Sequence, residues 1–299
     1  MSIHPAVYWI ATCLTATPIA VSIAGEQSLY EDIGKASFSK PTQIDNPWFP
    51  LTPGTRYTWK GTTQDEEGVV EPHTVVLVVT DLTKVIMDGV PTRVCLDRDY
   101  KDEQLEEAEI VFFAQDDNGY VWHFGQYPEE YEDGQVVATP GWLHGINGYA
   151  GIIMPADPKL GDPEFSQGYA PDVPWTDRAM VHQVGQTVEV PFGTFNDVIV
   201  FAEYDREEPN ARQYKYYAQG VGEVKIDYSG DDASRERMDL ISVETLSPEE
   251  IATARAEALR LNSNAMANLP EVFGNTSAMA PPTPVHALGE LPTSLAKSD

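Results

Sequence analysis

The chain has 299 residues, with 47 acidic side chains against 19 basic ones and a formal net charge of −28. A field of that sign repels phosphate backbones and anionic lipid surfaces, so nucleic acid is excluded as a partner, while divalent metals, amines and basic peptides are favoured. Hydrophobic residues make up 42%, enough for a core, which excludes wholesale disorder.

The first 25 residues read as an export signal. An apolar, charge-free run extends from Ala6 through Ile23, and Ser22-Ile23-Ala24 resembles a small-residue cleavage site. The segment ahead of the run, Met1-Ser2-Ile3-His4, lacks the usual Lys or Arg. Cleavage places the protein outside the cytoplasm, secreted or periplasmic, and leaves no transmembrane segment. It also removes Cys13, so Cys95 stands alone and no intramolecular disulfide is available. Cys95 lies in an alternating run, Pro91–Leu96, and reads as a buried structural thiol.

Residues 26–45 form a polar, irregular leader. Asn46-Pro47-Trp48-Phe49-Pro50-Leu51-Thr52-Pro53-Gly54-Thr55 follows, stiffened by three prolines and weighted by Trp48, Phe49 and Leu51. Such a segment suits the plugged end of a barrel or sheet. Strand signals then recur: Arg56–Gly61, the β-branched run Thr74–Thr80, a hairpin about Asp88-Gly89, and a second about Asp116-Asp117-Asn118-Gly119. Residues 140–177 break the pattern. They are dense in Gly, Pro and Trp, lack periodicity, and read as one long loop across an end of the domain. Strands resume at Gln186–Phe195, Val198–Tyr204, Gln213–Ala218, Gly222–Tyr228 and Arg237–Val243.

One helix is marked. Ser247-Pro248-Glu249-Glu250 is a capping box with Pro at the first helical position, and Ile251, Ala254, Ala258 and Leu261 fall on one face. Beyond Asn262 the chain is rich in Ala, Pro, Ser and Thr and reads as a disordered tail. The fold class is therefore mainly β: an antiparallel barrel-like or strongly bent sheet over residues 46–245, a peripheral C-terminal helix over 246–262, and a tail over 263–299.

Three phrases carry a resemblance. Asn46-Pro47-Trp48-Phe49-Pro50-Leu51-Thr52-Pro53-Gly54-Thr55, Gly151-Ile152-Ile153-Met154-Pro155-Ala156-Asp157-Pro158 and Tyr216-Tyr217-Ala218-Gln219-Gly220-Val221-Gly222 are similar to phrases of a family of secreted bacterial β-rich proteins with no established activity. The resemblance spans roughly residues 45–245 and implies a β-rich domain outside the cytoplasm. The chain departs from the family at Glu164–Asp172, where relatives carry a more acidic phrase. The closing hairpin also resembles, in fold alone, half-barrel envelope proteins of the lipoprotein-carrier type.

No motif fixes a reaction. His73, His123, His144 and His182 show no metal-ligand spacing and could converge only through the fold. A site of His123, His144 and His182 with Asp177 as an oxygen donor would suit a divalent metal ion, the one cofactor these residues suggest. Residues 99–133 hold 12 acidic side chains against Lys101. Asp116-Asp117-Asn118-Gly119 resembles a calcium-loop fragment without the alternate ligands or terminal Glu, and serves equally as a hairpin turn. The aromatic side chains concentrate in and beside the long loop. They place a candidate ligand cleft at Trp122, His123, Trp142, His144, Tyr169 and Trp175. Three readings follow: an exported, non-enzymatic binding protein for a small or cationic molecule, a metal-dependent enzyme, and a structural envelope protein.

Overall fold

The computed structural model describes residues 28–64, 67–173 and 175–279. The expected signal over residues 1–25 and the expected tail from 280 onward lie outside them. Fifteen strands form one sheet: β1 (Thr55–Gln64), β2 (Val70–Val85), β3 (Pro91–Lys101), β4 (Gln104–Gln115), β5 (Val121–Glu132), β6 (Gln135–Ala138), β7 (Trp142–Leu143), β8 (Tyr149–Met154), β9 (Phe165–Ser166), β10 (Gly168–Tyr169), β11 (Asp177–Val190), β12 (Gly193–Asp205), β13 (Ala211–Ala218), β14 (Gly222–Gly230) and β15 (Arg237–Thr245). Two helices follow, α1 (Pro248–Asn268) and α2 (Pro270–Phe273).

Neighbouring strands run β10-β8-β5-β4-β3-β2-β1-β15-β14-β13-β12-β11-β9, with β6 and β7 added on β5. The order is a meander whose first and last long strands meet, Tyr57 opposite Val243. The result is a nearly closed antiparallel barrel. Its two free edges are joined by one short stretch of chain. Phe165 and Ser166 pair with Ala179 and Arg178 of β11, and Gly168 and Tyr169 pair with Ala150 and Tyr149 of β8. The approach is close: a Cβ on Gly151 would stand 2.1 Å from the Gly168 nitrogen. No other residue fits there without backbone movement.

The stretch expected as one long loop thus contains four short strands, β7 to β10. Two-residue pairings have no periodicity to read, and their glycines look like turn residues in sequence. They are held by register instead, as at Gly125, where a Cβ would lie 2.2 Å from the Trp142 carbonyl oxygen.

Two cores lie on opposite faces of the sheet. The inner one includes Tyr57, Trp59, Val79, Cys95, Val111, Phe113, Phe201 and Leu240. The outer one sets Val78, Val94, Leu96, Ile110, Phe112 and Phe124 against Ile251, Ala254, Ala258 and Leu261 of α1. Strands β2 to β4 are covered on both sides, which is why they read as continuous apolar runs rather than as alternation.

The proline-rich segment plugs the barrel. Phe49 reaches in between Phe113 of β4 and Tyr217 of β13, with ring centroids 5.5 and 6.4 Å away. Asn46 pins it by donating from Nδ2 to the carbonyls of Gly119 and Pro155 at 2.8 and 3.0 Å. Within the described residues the leader packs Phe38 edge-on against Trp122 and Phe124.

The capping box forms as read: Glu250 N donates to Ser247 Oγ, and Ser247 N to Glu250 Oε2. The expected helix end at Asn262 and tail from residue 263 need correction within the described residues. α1 continues to Asn268, and α2 seats Phe273, fully buried, edge-on against Tyr127 at 5.6 Å. Ala265, Val272 and Phe273 carry the buried apolar face past the point where composition turns polar. Polar contacts fix the helix as well. Glu129, buried on the outer face, accepts from Tyr127, Tyr131, Arg260 and Asn264. Lys84, fully buried, donates to Asn262 Oδ1 and the Ser277 carbonyl at 2.9 Å each. Burial pushes its pKa down to about 8.

Candidate functional site

The inward positions of two strands change character along the barrel. On β3 they read Cys95, Asp97, Asp99, and on β4 Phe113, Val111, Glu109, Glu107. One end of the interior is therefore apolar and the other acidic. Between them lies a cavity of about 290 Å³. Its apolar wall includes Leu51, Tyr57, Trp59, Leu77, Val111 and Phe113. The Tyr57 hydroxyl and Trp59 Nε1 both donate to wall carbonyls, of Pro50 and Glu223 at 3.0 and 3.1 Å, which leaves ring surface toward the cavity.

Five carboxyl groups line the cavity, Asp97, Asp99, Glu109, Glu223 and Glu236, with Lys215 among them. Register makes the crowding worse. Asp97 is paired with Glu109 and Asp99 with Glu107 across β3 and β4, where like charges repel. Lys215 Nζ lies 3.2 Å from Glu203 Oε2 and 4.0 Å from Glu223 Oε2. On the far side His73 is hydrogen-bonded through Nε2 to Asp99, and its Nδ1 stands 3.0 Å from Glu236 Oε1.

Four of the crowded carboxyl groups, Asp97, Glu107, Glu109 and Glu223, respond by holding protons. Burial, then repulsion from Asp99, raises Asp97 to about 6. Burial and the charges of Asp97, Asp99 and Glu130 raise Glu107 to about 8. Glu109 is raised well above the usual carboxylate range by burial and by Glu107, Asp97 and Asp99. Glu223 rises to about 7 through burial, although Lys215 opposes the shift. Burial alone would lower Lys215, but Glu203, Glu223 and Glu236 reverse this and keep it charged. For His73 too, burial is outweighed by the bonds to Asp99 and Glu236, and its pKa reaches about 9. Glu109 Oε2 has no hydrogen-bond partner. Its side chain is half-buried and lines the cavity.

At the apolar end stands His123, 2% exposed and lining the same cavity. Its ring packs against Phe113, Trp142 and Trp175 at 5.4, 5.0 and 5.3 Å. Neither ring nitrogen makes a hydrogen bond. Burial lowers its pKa to about 4, against the pull of backbone groups of Gln167 and Gly125. The ring is thus a neutral imidazole with no well-formed hydrogen bond at either nitrogen, although backbone groups of Gln167 and Gly125 are close enough to act on it.

Of the expected cleft residues, the structure brings His123 and Trp175 to the cavity, with Trp142 packed behind them. Trp122, next to His123 on β5, belongs to the outer core and donates from Nε1 to Asp116 Oδ2. Tyr169 lies near Tyr30, at 6.3 Å. His144 accepts from Ala150 N through Nδ1 and sits edge-on to Phe124.

The expected metal set is not assembled. His182 stacks on Tyr214 at 4.6 Å. Asp177, raised to about 7 by burial and by Glu203 and Asp205, faces the Lys215 group. Among the described residues no three His, Cys, Asp or Glu side chains form a metal-binding group. The Asp116–Gly119 turn uses its acids internally. Asp116 Oδ1 accepts from Asn118 N and Tyr120 N, and Asp117 Oδ1 from Ser39 N and Oγ. Cys95 is sealed in the inner core, and burial raises its thiol pKa far above the ordinary value.

Sequence reasoning missed Asp97, Glu107, Glu109, Lys215, Glu223 and Glu236. A signal existed: the period-two positions Cys95, Asp97, Asp99 run straight from core into charge.

No family model matches the chain, and no curated protein matches it. Among solved structures, it is similar to a Bacteroides fragilis protein described as exported, with a YmcC-like fold. The TM-score is 0.38 at 13% identity, covering 66% of this chain and 98% of the other. It is also similar to a protein from Parabacteroides distasonis described as a lipoprotein, with TM-score 0.36 and 11% identity, covering 67% and 99%.

Proposed function

We propose that this chain is an exported, non-enzymatic binding protein that holds a small molecule inside its barrel. The observation that carries the reading is the cavity of about 290 Å³ with His123 at its wall. A buried imidazole with no well-formed hydrogen bond costs free energy, up to about 1–3 kcal/mol for a buried polar group left unsatisfied. A bound molecule that hydrogen-bonds to it recovers part of that cost. The volume is about twice that of an engineered apolar cavity that accepts benzene, which sets a ligand of roughly ten heavy atoms. Export rests on the signal-like first 25 residues, and the family phrases support the same location.

Trp59 and Trp175 line the cavity and serve as internal reporters. Titration with a panel of neutral, cationic and anionic molecules of that size, followed by tryptophan fluorescence, tests the reading. Saturable responses are expected from the wild type and none from Val111→Phe, which fills the space. A panel with no saturable response, or a response undiminished in Val111→Phe, contradicts it.

A further inference from the structure

Building on the binding reading, we infer that the ligand is an organic ammonium compound with an apolar body, its cationic head seated at Glu109 and Asp97 and its body against Val111 and Phe113.

The inference starts from an imbalance. Five carboxyl groups line the cavity with one lysine, and that lysine already serves Glu203 and Glu223 from the far wall. The imidazole of His73 serves Asp99 and Glu236. Asp97 and Glu109 are left facing each other; Lys215 and Arg98 draw the Asp97 pKa down from a distance, but neither acid has an ion pair among the described residues. Asp97 Oδ1 accepts only from the neighbouring backbone N–H of Arg98, and Glu109 Oε2 accepts from nothing. A barrel interior is an expensive place for such a pair, because a buried carboxylate costs several kcal/mol unless a partner compensates it. Apolar residues would be cheaper at positions 97 and 109. What the two acids supply is a seat for positive charge.

An independent observation selects an organic cation. Two residues along β4 from Glu109, the inward positions become Val111 and Phe113, and Phe113 pairs with His123 of β5. The carboxylates and the unbonded imidazole are separated by about 13 Å of strand at the Cα atoms. Aromatic faces and aliphatic side chains lie between them. A bare metal ion would use none of this wall, and no metal-binding group of three is present among the described residues. An ammonium head with a hydrocarbon body uses the acidic end and the apolar wall that runs from it toward His123. The head donates the charge-assisted hydrogen bonds that Glu109 lacks, and the body displaces cavity water from Leu77, Val111 and Phe113.

Proton linkage follows from the same geometry. Glu109 is faced by Asp97 and Asp99 from β3 and by Glu107 on its own strand, with Lys215, Glu223, Glu203 and Glu236 across the interior. Without ligand, protons reduce the repulsion. An ammonium group replaces them and binds more tightly as pH rises.

The test compares octylammonium, octanol and octanoate, matched in length, by calorimetric titration into the full exported chain. At about pH 8, octylammonium is expected to bind at least about tenfold tighter than octanol, the scale of one hydrogen bond to a charged group. Octanoate is expected not to bind. Glu109→Gln should cut the ammonium preference to within about threefold while leaving octanol unchanged. Octanol binding as well as octylammonium, or octanoate binding best, overturns the ammonium assignment while the cavity reading stands. If none of the three binds, and the wider panel is also silent, both fall. Octylammonium binding with its preference unaltered in Glu109→Gln overturns the assigned seat.

Discussion

Asp97 and Glu109 stand directly opposite each other on β3 and β4, both directed into the barrel, and no basic side chain bridges them. A protein selected for stability alone would not keep that pair. Replacing Glu109 with Gln removes the repulsion and supplies an amide N–H₂ to Asp97. Glu109→Gln is expected to raise the unfolding free energy of the unliganded protein by about 1–3 kcal/mol at neutral pH. Urea denaturation at about pH 8 measures it, and a clear loss of stability would count against a buried, unpaired Glu109.

The raised carboxyl groups set a pH dependence whose sign is definite. Asp97, Glu107, Glu223 and Asp177 reach about 6, 8, 7 and 7 in the fold, above their unfolded values. The folded state therefore binds more protons than the unfolded state between those values and the ordinary carboxylate range. Stability falls as pH rises through that interval. The melting temperature of the unliganded protein should decline from about pH 5 to about pH 8. A flat or rising curve would contradict the assigned burial.

His73 adds to the alkaline side of that curve. Its folded pKa of about 9 exceeds its unfolded value, so its contribution is complete below about pH 6.5 and is lost as pH rises through 9. His73→Gln should lower stability at neutral pH and flatten the decline between about pH 7 and 9. Melting curves of the two proteins across that range decide the point.

Lys215 is the cation that makes the interior tolerable. Lys215→Met leaves Glu203, Glu223 and Glu236 without it and is expected to cost about 3–5 kcal/mol at about pH 8. The deficit should shrink at about pH 5, below the raised Glu223 pKa of about 7, where that carboxyl group carries a proton. A deficit equal at both pH values would mean that packing, not charge, explains the loss.

The chain past Asn262 is structural. Phe273 is fully buried against Tyr127, so Phe273→Ala is expected to cost about 3–5 kcal/mol. Hydrogen exchange should quicken along α1, because Asn264 and Arg260 hold Glu129 from the same helix. Unchanged stability in a chain ending at Asn262 would show that this segment does not belong to the fold.

Much of the architecture is legible in residue order. The run Thr74–Thr80, the Ser247–Glu250 box and the Phe49 plug each carry their own local signal. The closure at Ser166-Gln167-Gly168 does not, because two-residue pairings depend on register with distant strands. Trp122 and His123 were assigned to one cleft, yet consecutive residues on a strand point to opposite faces, and the structure separates them. The acidic end of the cavity was hidden for another reason. Strands β2 to β4 are buried on both sides, so alternation did not distinguish inside from outside, and the acids of residues 99–133 resembled a solvated hairpin. Only the pairing of Asp97 with Glu109 and Asp99 with Glu107 shows which of them turn inward.

A crystal structure grown with octylammonium tests the occupied cavity most directly. The nitrogen is expected within hydrogen-bonding distance, about 3 Å, of the Glu109 carboxylate, with the alkyl chain against Val111 and Phe113. Density for the ligand only on the outer surface, with the interior unchanged, would contradict it.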